Sequence, residues 1–247
     1  MTKYTLLLFF TLIIGNLFAQ EVVTTNENPL NVSCNLVSRY VWRGSQLSDS
    51  PNIQPGLEYS KNGFSIGAWG SYAMSLTGVQ EADFYIGYTY NDTYSITITD
   101  YYFPDATIDY KYFDYDKDKT GHVLEVTVAY NGTDKLPLKL MLASNFYGAD
   151  ARRINDDGSL GNIMFSTYAE TTYSFKYFDA FMGVNLTSID TDKGESGFYG
   201  NGVGVVNFGI STLKNIEITD KFSLPLSLSI ITNPQAEKIF FVVGLSF

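Results

Sequence analysis

Sulfur and imidazole chemistry are almost missing from this chain. Its 247 residues include one cysteine, Cys34, and one histidine, His122. A lone thiol cannot close an internal disulfide, and Cys34 lies too far from the N-terminus to be a lipoprotein acylation site. One histidine and one cysteine make no zinc ligand set, so no metal and no cofactor are expected. Arginine occurs only as Arg39, Arg43, Arg152 and Arg153, and the formal charge is −10. Nucleic-acid binding needs clustered Lys and Arg, so nucleic acid is not expected as a partner. Charged residues make up only 17% of the chain, low for a soluble domain. Long apolar runs are absent beyond the first twenty residues, which excludes a transmembrane helix.

What is present is aromatic and alternating. Nineteen Tyr and eighteen Phe are heavy use. In Phe222–Ile231 (FSLPLSLSII), Phe222, Leu224, Leu226, Leu228 and Ile230 alternate with Ser223, Pro225, Ser227 and Ser229. A period of two marks a strand. Phe241, Val243, Leu245 and Phe247 repeat the pattern to the end of the chain. One face is apolar, the other small and polar. A soluble barrel or sandwich turns the apolar face inward; an outer-membrane barrel turns it toward lipid.

The N-terminus favours export. Lys3 supplies a charged start, Leu6–Ile14 (LLLFFTLII) a short apolar stretch, and Gly15–Ala19 leads to a cut between Ala19 and Gln20. This is a secretory signal, too short to span a bilayer. It divides the chain into a signal peptide, 1–19, and one barrel domain, 20–247, with Gln20–Pro29 as a flexible periplasmic lead.

Twelve strands are expected: Leu30–Trp42, Ile53–Ser60, Phe64–Ala73, Glu81–Tyr90, Thr93–Phe103, His122–Tyr130, Leu138–Tyr147, Asn162–Phe175, Ala180–Ser188, Val203–Leu213, Phe222–Thr232 and Ile239–Phe247. Connections from odd to even strands are mostly long, as in Pro104–Gly121 and Gly148–Gly161. Those from even to odd are mostly short, as in Lys61-Asn62-Gly63 and Asn91-Asp92; Lys214–Lys221 reads as a longer turn. Long external loops, short periplasmic turns and periplasmic termini are the pattern of an outer-membrane barrel. Tyr59, Phe64, Tyr88, Tyr90, Tyr94, Tyr130, Tyr173, Phe222 and Phe247 fall near periplasmic strand ends, and Tyr72, Tyr101 and Tyr102 near external ends. Amphipathic rings prefer such boundaries. Pro225 is a misfit that marks a bulge, since proline deletes a ladder donor. The same parity puts Cys34 on the lipid face.

Parity also assigns a lumen, lined by Arg39, Arg43, Glu58, Glu81, Asp83, Glu125, Lys139 and Glu170. Such charges either line a wet pore and set ion preference or pair across a narrow barrel that conducts nothing. Arg39 and Arg43, both on the first strand, are expected to face the acids of the second and fourth. An Arg43→Ala variant with unchanged current and folding would speak against any role for that residue. Asp114–Glu125 (DYDKDKTGHVLE) places acids at the first, third, fifth and twelfth positions of a calcium-type loop, but Lys119 stands where glycine is required and no helices flank it. An acidic solvated loop is the simpler reading. A Ser-His-acid site would have to use His122, and Gly194-Glu195-Ser196-Gly197 has the wrong spacing for a nucleophile elbow. No enzyme is expected, with a lipid hydrolase as the remote alternative.

Ser38-Arg39-Tyr40-Val41-Trp42-Arg43-Gly44 resembles the SDY-x-aromatic-RG signature of the TorF-like porins, also catalogued as the conserved hypothetical Gcw-chp family. The similarity continues through Pro51, Gln54, Gly56, Tyr59, Gly63-Phe64, Gly67, Trp69 and Ser71, and then through Glu81–Tyr88 and Asp100–Pro104. Glu125 and Glu170 sit where the family places strand glutamates. Arg39 departs from the family aspartate and inverts the charge there. The resemblance implies an outer-membrane barrel with a pore and supplies no solute. The expectation is therefore a passive diffusion channel for small hydrophilic solutes or ions in a Gram-negative outer membrane. The alternative is a plugged structural or surface-binding barrel. Expected partners are outer-membrane lipid, lipopolysaccharide and the barrel-assembly machinery, the last through the final strand ending in Phe247.

Overall fold

The computed structural model describes residues 28–75, 79–104 and 111–247. The expected signal peptide, 1–19, and its cleavage point lie outside them. The described chain forms β1 (Leu30–Val37), β2 (Tyr40–Trp42), β3 (Ser45–Ser48), β4 (Asn52–Lys61), β5 (Phe64–Ala73), β6 (Gln80–Tyr90), β7 (Tyr94–Tyr102) and β8 (His122–Tyr130). It continues with β9 (Leu138–Gly148), β10 (Arg152–Ile154), β11 (Leu160–Ile163), β12 (Thr167–Ser174), β13 (Asp179–Asn185), β14 (Gly204–Thr219), β15 (Phe222–Asn233) and β16 (Lys238–Ser246).

Twelve of these close a single antiparallel barrel in the order β1-β16-β15-β14-β13-β12-β9-β8-β7-β6-β5-β4. The remaining four make two separate hairpins, β2–β3 and β10–β11. No helix occurs among the described residues. Closure removes the unpaired edges that an open sheet would expose. The seam between β1 and β16 is the shortest in the barrel, with Asn35↔Ser246, Leu36↔Leu245 and Val37↔Gly244 in register.

Alternation decides what faces where. On β6, Glu81 and Asp83 are 1% exposed while Phe84 and Ile86 are 51% and 53% exposed. The same holds on β4, where Gln54 and Glu58 are buried and Ile53 and Leu57 are exposed. Polar side chains point in and apolar ones out, the reverse of a soluble barrel. The outer face also carries the aromatic ring expected at the strand ends nearest the termini: Tyr59, Phe64, Tyr88, Tyr90, Tyr94, Tyr173, Phe222 and Phe247 are all exposed. Phe64 packs on Tyr88 at 4.6 Å, and Tyr94 on Tyr130 at 5.6 Å.

Inside, glycines make room for tyrosines. A Cβ on Gly67 would lie 2.1 Å from the Tyr85 hydroxyl, and one on Gly183 would lie 1.8 Å from that of Tyr168. Gly67 and Tyr85 are register partners. Glycine inside a strand marks such close approaches, and here they let large rings lie flat against the inner wall.

Several sequence expectations are corrected. The first strand ends at Val37, eight residues into its length. Tyr40–Trp42 belongs to the β2–β3 hairpin, so Arg39 and Arg43 are not wall residues. Phe165 and Ser166 precede the eighth barrel strand, which starts at Thr167 and not at Asn162. The expected turn Lys214–Lys221 is mostly strand: β14 runs to Thr219, and only Asp220 and Lys221 turn the chain. Pro225 makes no bulge. The β14–β15 irregularity falls between Glu217 and Thr219, whereas Pro225 sits one residue beyond the last β15–β16 register pair, Leu226↔Leu245. There its missing N–H costs no ladder bond. Tyr101, placed at an external boundary by the sequence, is 1% exposed and faces inward; Tyr102 is buried at its strand end.

Candidate functional site

The chain between β1 and β4 does not project from the rim but folds into the barrel. Arg43 and Gly44 have φ of 48° and 80°. Two consecutive positive φ values make the type I′ two-residue turn that a tight hairpin needs, and Trp42 pairs with Ser45 across it. The hairpin touches walls on opposite sides. Tyr40 packs on Trp69 of β5 at 5.8 Å, and Trp42 packs on Tyr101 of β7 at 5.4 Å. The Asn233 amide of β15 donates to the Gly44 carbonyl at 3.1 Å. Val41 packs against the cluster of Phe181, Ile231 and Phe240.

At the hairpin tip, Arg43 meets Glu125 of β8. The Arg43 Nη2 donates to Glu125 Oε1 at 2.9 Å and its Nη1 pairs with Oε2, a bidentate ion pair. The side chains are 4% and 0% exposed. Glu125 Oε1 also accepts from the Tyr101 hydroxyl at 3.1 Å and the Thr127 hydroxyl at 2.9 Å. Tyr199 closes the remaining side: its hydroxyl accepts from Arg43 Nη1 at 2.7 Å and donates to Glu125 Oε2. The guanidinium lies 4.6 to 5.1 Å from the ring centroids of Trp42, Tyr168 and Tyr199. A buried charge is tolerated only with such pairing and hydrogen bonding.

Tyr199 comes from a second inward segment, residues 186–203 between β13 and β14. Asn185 anchors it by donating to the Gly202 carbonyl at 2.8 Å. Together the two segments fill the half of the lumen at the loop end with a packed cluster that includes Tyr40, Trp42, Trp69, Tyr101, Tyr168, Tyr199 and Val206. The other half differs. Inner residues Ser33, Thr97, Lys139, Thr172, Ser227 and Ser229 are partly exposed. The barrel interior is therefore polar and partly exposed at the terminal end and packed toward the loop end with an aromatic cluster around one ion pair.

The expected lumenal residues divide accordingly. Glu58, Glu81, Asp83 and Glu125 are on the inner wall and buried, and Lys139 and Glu170 are on it and half-buried. Glu58 accepts from the Tyr85 hydroxyl at 3.0 Å; Glu170 pairs with the Tyr168 hydroxyl and accepts from the Asn207 amide at 2.9 Å. Arg43 reaches Glu125, not the acids of β4 and β6 that the sequence suggested. Arg39 stays half-buried near the foot of the hairpin with its Nε unpartnered. The sequence reading missed Trp42, Tyr168 and Tyr199. Tyr168 was legible as an inward position by strand parity; Tyr199 sits in a loop and carries no such signal.

Two further expectations meet the structure here. Glu125 cannot complete a calcium loop with Asp114–Asp118, because its carboxylate is inside the barrel on Arg43. The aspartates instead cap turns: the Asp116 N–H donates to Asp114 Oδ1, and the Asp118 N–H to Asp116 Oδ1, each at 3.0 Å. His122 lies on the outer side of the wall beneath residues 112–115. Its Nδ1 is 2.7 Å from Asp100 Oδ1, its Nε2 is 2.6 Å from the Tyr112 carbonyl, and its ring stacks on Tyr115 at 4.2 Å. Both ring nitrogens thus face oxygen atoms of the surrounding chain.

At the loop end, Glu195 ties two loops together. The N–H groups of Asp190 and Ile154 donate to it at 2.9 and 3.0 Å, and Arg153 pairs with it at 2.9 Å. These contacts, the two N–H groups first, hold its carboxyl below the usual carboxylate range. A depressed folded pKa contributes stability that is complete above the unfolded value of about 4.3 and is lost as pH falls through the folded one. Acidification below about pH 4 is therefore expected to loosen residues 152–154 and 188–197 before the barrel unfolds. Amide exchange across that range measures this; equal protection at pH 3 and pH 6 would contradict it.

A comparison with curated proteins finds no match. The family model described as "Bacterial protein of unknown function (Gcw_chp)" matches residues 23–159, more than half of the chain. The match takes in β1 to β10, and so both Arg43 on its hairpin and Glu125 on its strand. The chain belongs to the Gcw_chp family of bacterial proteins.

Proposed function

We propose that this protein is a porin-like outer-membrane channel, narrowed by its own inward hairpin, for passive passage of small ions or hydrophilic solutes. The observation that carries the reading is the inverted wall: apolar and aromatic outside, polar and charged inside. Only a lipid surround makes that arrangement favourable. The resemblance to TorF-like porins supports the same reading, as does the expected signal peptide. Lipid and lipopolysaccharide would then contact the outer face, and the assembly machinery would receive the last strand. A barrel of twelve strands is narrow beside the ~16–18-stranded porins with open aqueous channels. With the hairpin seated, low conductance is the physical expectation. No reaction is assigned to the protein.

The packed cluster around Arg43 and Glu125 favours a second reading, a plugged barrel that conducts nothing. Planar-bilayer recording of refolded 20–247 separates the two, with heat-modifiable gel migration as the check on folding. Small discrete current steps, with a reversal potential that shifts in a salt gradient, are expected. A folded barrel that stays silent refutes the channel and leaves the plugged barrel.

A further inference from the structure

The charges that face the lumen are not balanced. In the terminal half, where inner side chains are partly exposed, the wall turns Glu58, Glu170 and Asp179 inward. Asp179 opens β13; its register partners are Ser174 of β12 and Ser211 of β14, and Ser211 is buried on the inner face. Against these acids stands Lys139 of β9, the register partner of Thr172. In the packed half, Glu81 and Asp83 add to the acids. Arg43 is spent on Glu125 through the bidentate pair. Arg39, half-buried at the foot of the hairpin, offsets only part of the remainder.

Glu170 and Asp179 are half-buried, so water and ions reach them from the terminal end. The Tyr168 hydroxyl donates to Glu170, and the Asn207 amide does so at 2.9 Å. The Tyr85 hydroxyl donates to Glu58 at 3.0 Å. Hydroxyl and amide donors fix a carboxylate in place without cancelling its charge. The packed half already holds one cation among aromatic faces: the Arg43 guanidinium lies over the rings of Trp42, Tyr168 and Tyr199. Such faces attract cations and not anions.

We propose that the lumen prefers cations to anions, with Glu58, Glu170 and Asp179 setting the preference and Lys139 limiting it. This deepens the channel reading and rests on it. Low-dielectric walls focus the field of the charges between them, and inward Asp and Glu give a pore its cation preference. The lumen of a twelve-strand barrel is narrow, so a passing ion stays within the Debye length of about 10 Å at 0.1 M salt. At 1 M that length falls to about 3 Å, and the preference is expected to weaken.

The test is the reversal potential of refolded 20–247 in a planar bilayer, under a gradient of potassium chloride with 0.1 M as the dilute side. The parent is expected to reverse with the sign set by potassium, at a potassium-to-chloride permeability ratio of roughly threefold or more. Glu170→Gln and Asp179→Asn keep shape and remove charge, and each is expected to lower the ratio. Lys139→Gln is expected to raise it. Asp179→Asn, at the half-buried start of its strand, serves where Glu170→Gln does not fold, with heat-modifiable migration as the check. Opposite shifts from acid and lysine variants are something a merely structural role would not produce. Chloride preference, or none, in the conducting parent overturns the inference and leaves the channel standing. A ratio that none of the variants moves overturns the assignment to these residues. A folded barrel that stays silent removes the channel reading, and this inference with it.

Discussion

Arg43→Ala is expected to destabilise the barrel by about 3–5 kcal/mol, the usual cost of leaving one buried charge unpaired. Glu125 would keep its place on β8 with no counter-ion, at 0% side-chain exposure. Tyr101, Thr127 and Tyr199 could still donate to it, but hydroxyls do not neutralise a carboxylate. The loss is therefore a charge effect first and a packing effect second. Two comparisons separate them. Arg43→Met with Glu125→Gln removes both charges while keeping most of the volume, and is expected to recover most of the stability. Arg43→Lys keeps the charge but loses the planar fork that binds both oxygens of Glu125 and lies among three rings, so it is expected to fall between the two. Chemical unfolding in detergent, read by tryptophan fluorescence, measures all four proteins. A loss below about 1 kcal/mol for Arg43→Ala, the range of solvent-exposed pairs, would mean that water reaches the site.

Gly44→Val is expected to unseat the hairpin while the barrel stays closed. Gly44 has φ +80°, and a Cβ there would lie 1.8 Å from the Val206 carbonyl oxygen and 2.8 Å from its carbon. Those are backbone atoms of β14 and cannot step aside as a side chain would. A β-branched residue also resists the left-handed region that the type I′ turn requires. None of the ladder pairs that close the barrel involves the hairpin, so the wall has no reason to open. Overpacking of this kind costs about 1–3 kcal/mol or more. If the hairpin is what narrows the passage, single-channel current rises several-fold in the variant, and residues 38–51 become open to protease. Protease access without added current would mean that residues 186–203 block the lumen by themselves.

The two variants probe one device from opposite sides. The Arg43 series asks what the ion pair contributes to the folded protein. Gly44→Val asks what the seated hairpin does to the lumen.

Strand alternation, loop lengths and terminal aromatics made the barrel legible before any coordinates. The twelve-strand total, the inward parity of Glu58, Glu81, Asp83, Glu125, Lys139 and Glu170, and the exposed aromatic ring at the terminal end all follow from a period of two. That information is local: each residue reports its face through its immediate neighbours. The sequence reading failed where the chain left the wall. Tyr40–Trp42 alternates like the strand before it, so extending the first strand through Trp42 was natural. Nothing local shows that the chain bends at Ser38 and Arg39 and turns inward. Arg43-Gly44 is a turn signal in retrospect, since glycine after a residue of positive φ completes a type I′ turn.

By itself, then, the sequence determined a chain of alternating strands that can bury its polar face only by closing on itself. The reason is that a two-residue period and a tight turn are properties of a few adjacent residues. Only the tertiary structure decided which charges meet. Arg43 and Glu125 are 82 positions apart, and Tyr199 joins them from a loop still further along. Their meeting depends on two segments folding into one lumen, where space, charge and hydrogen bonding have to be satisfied together.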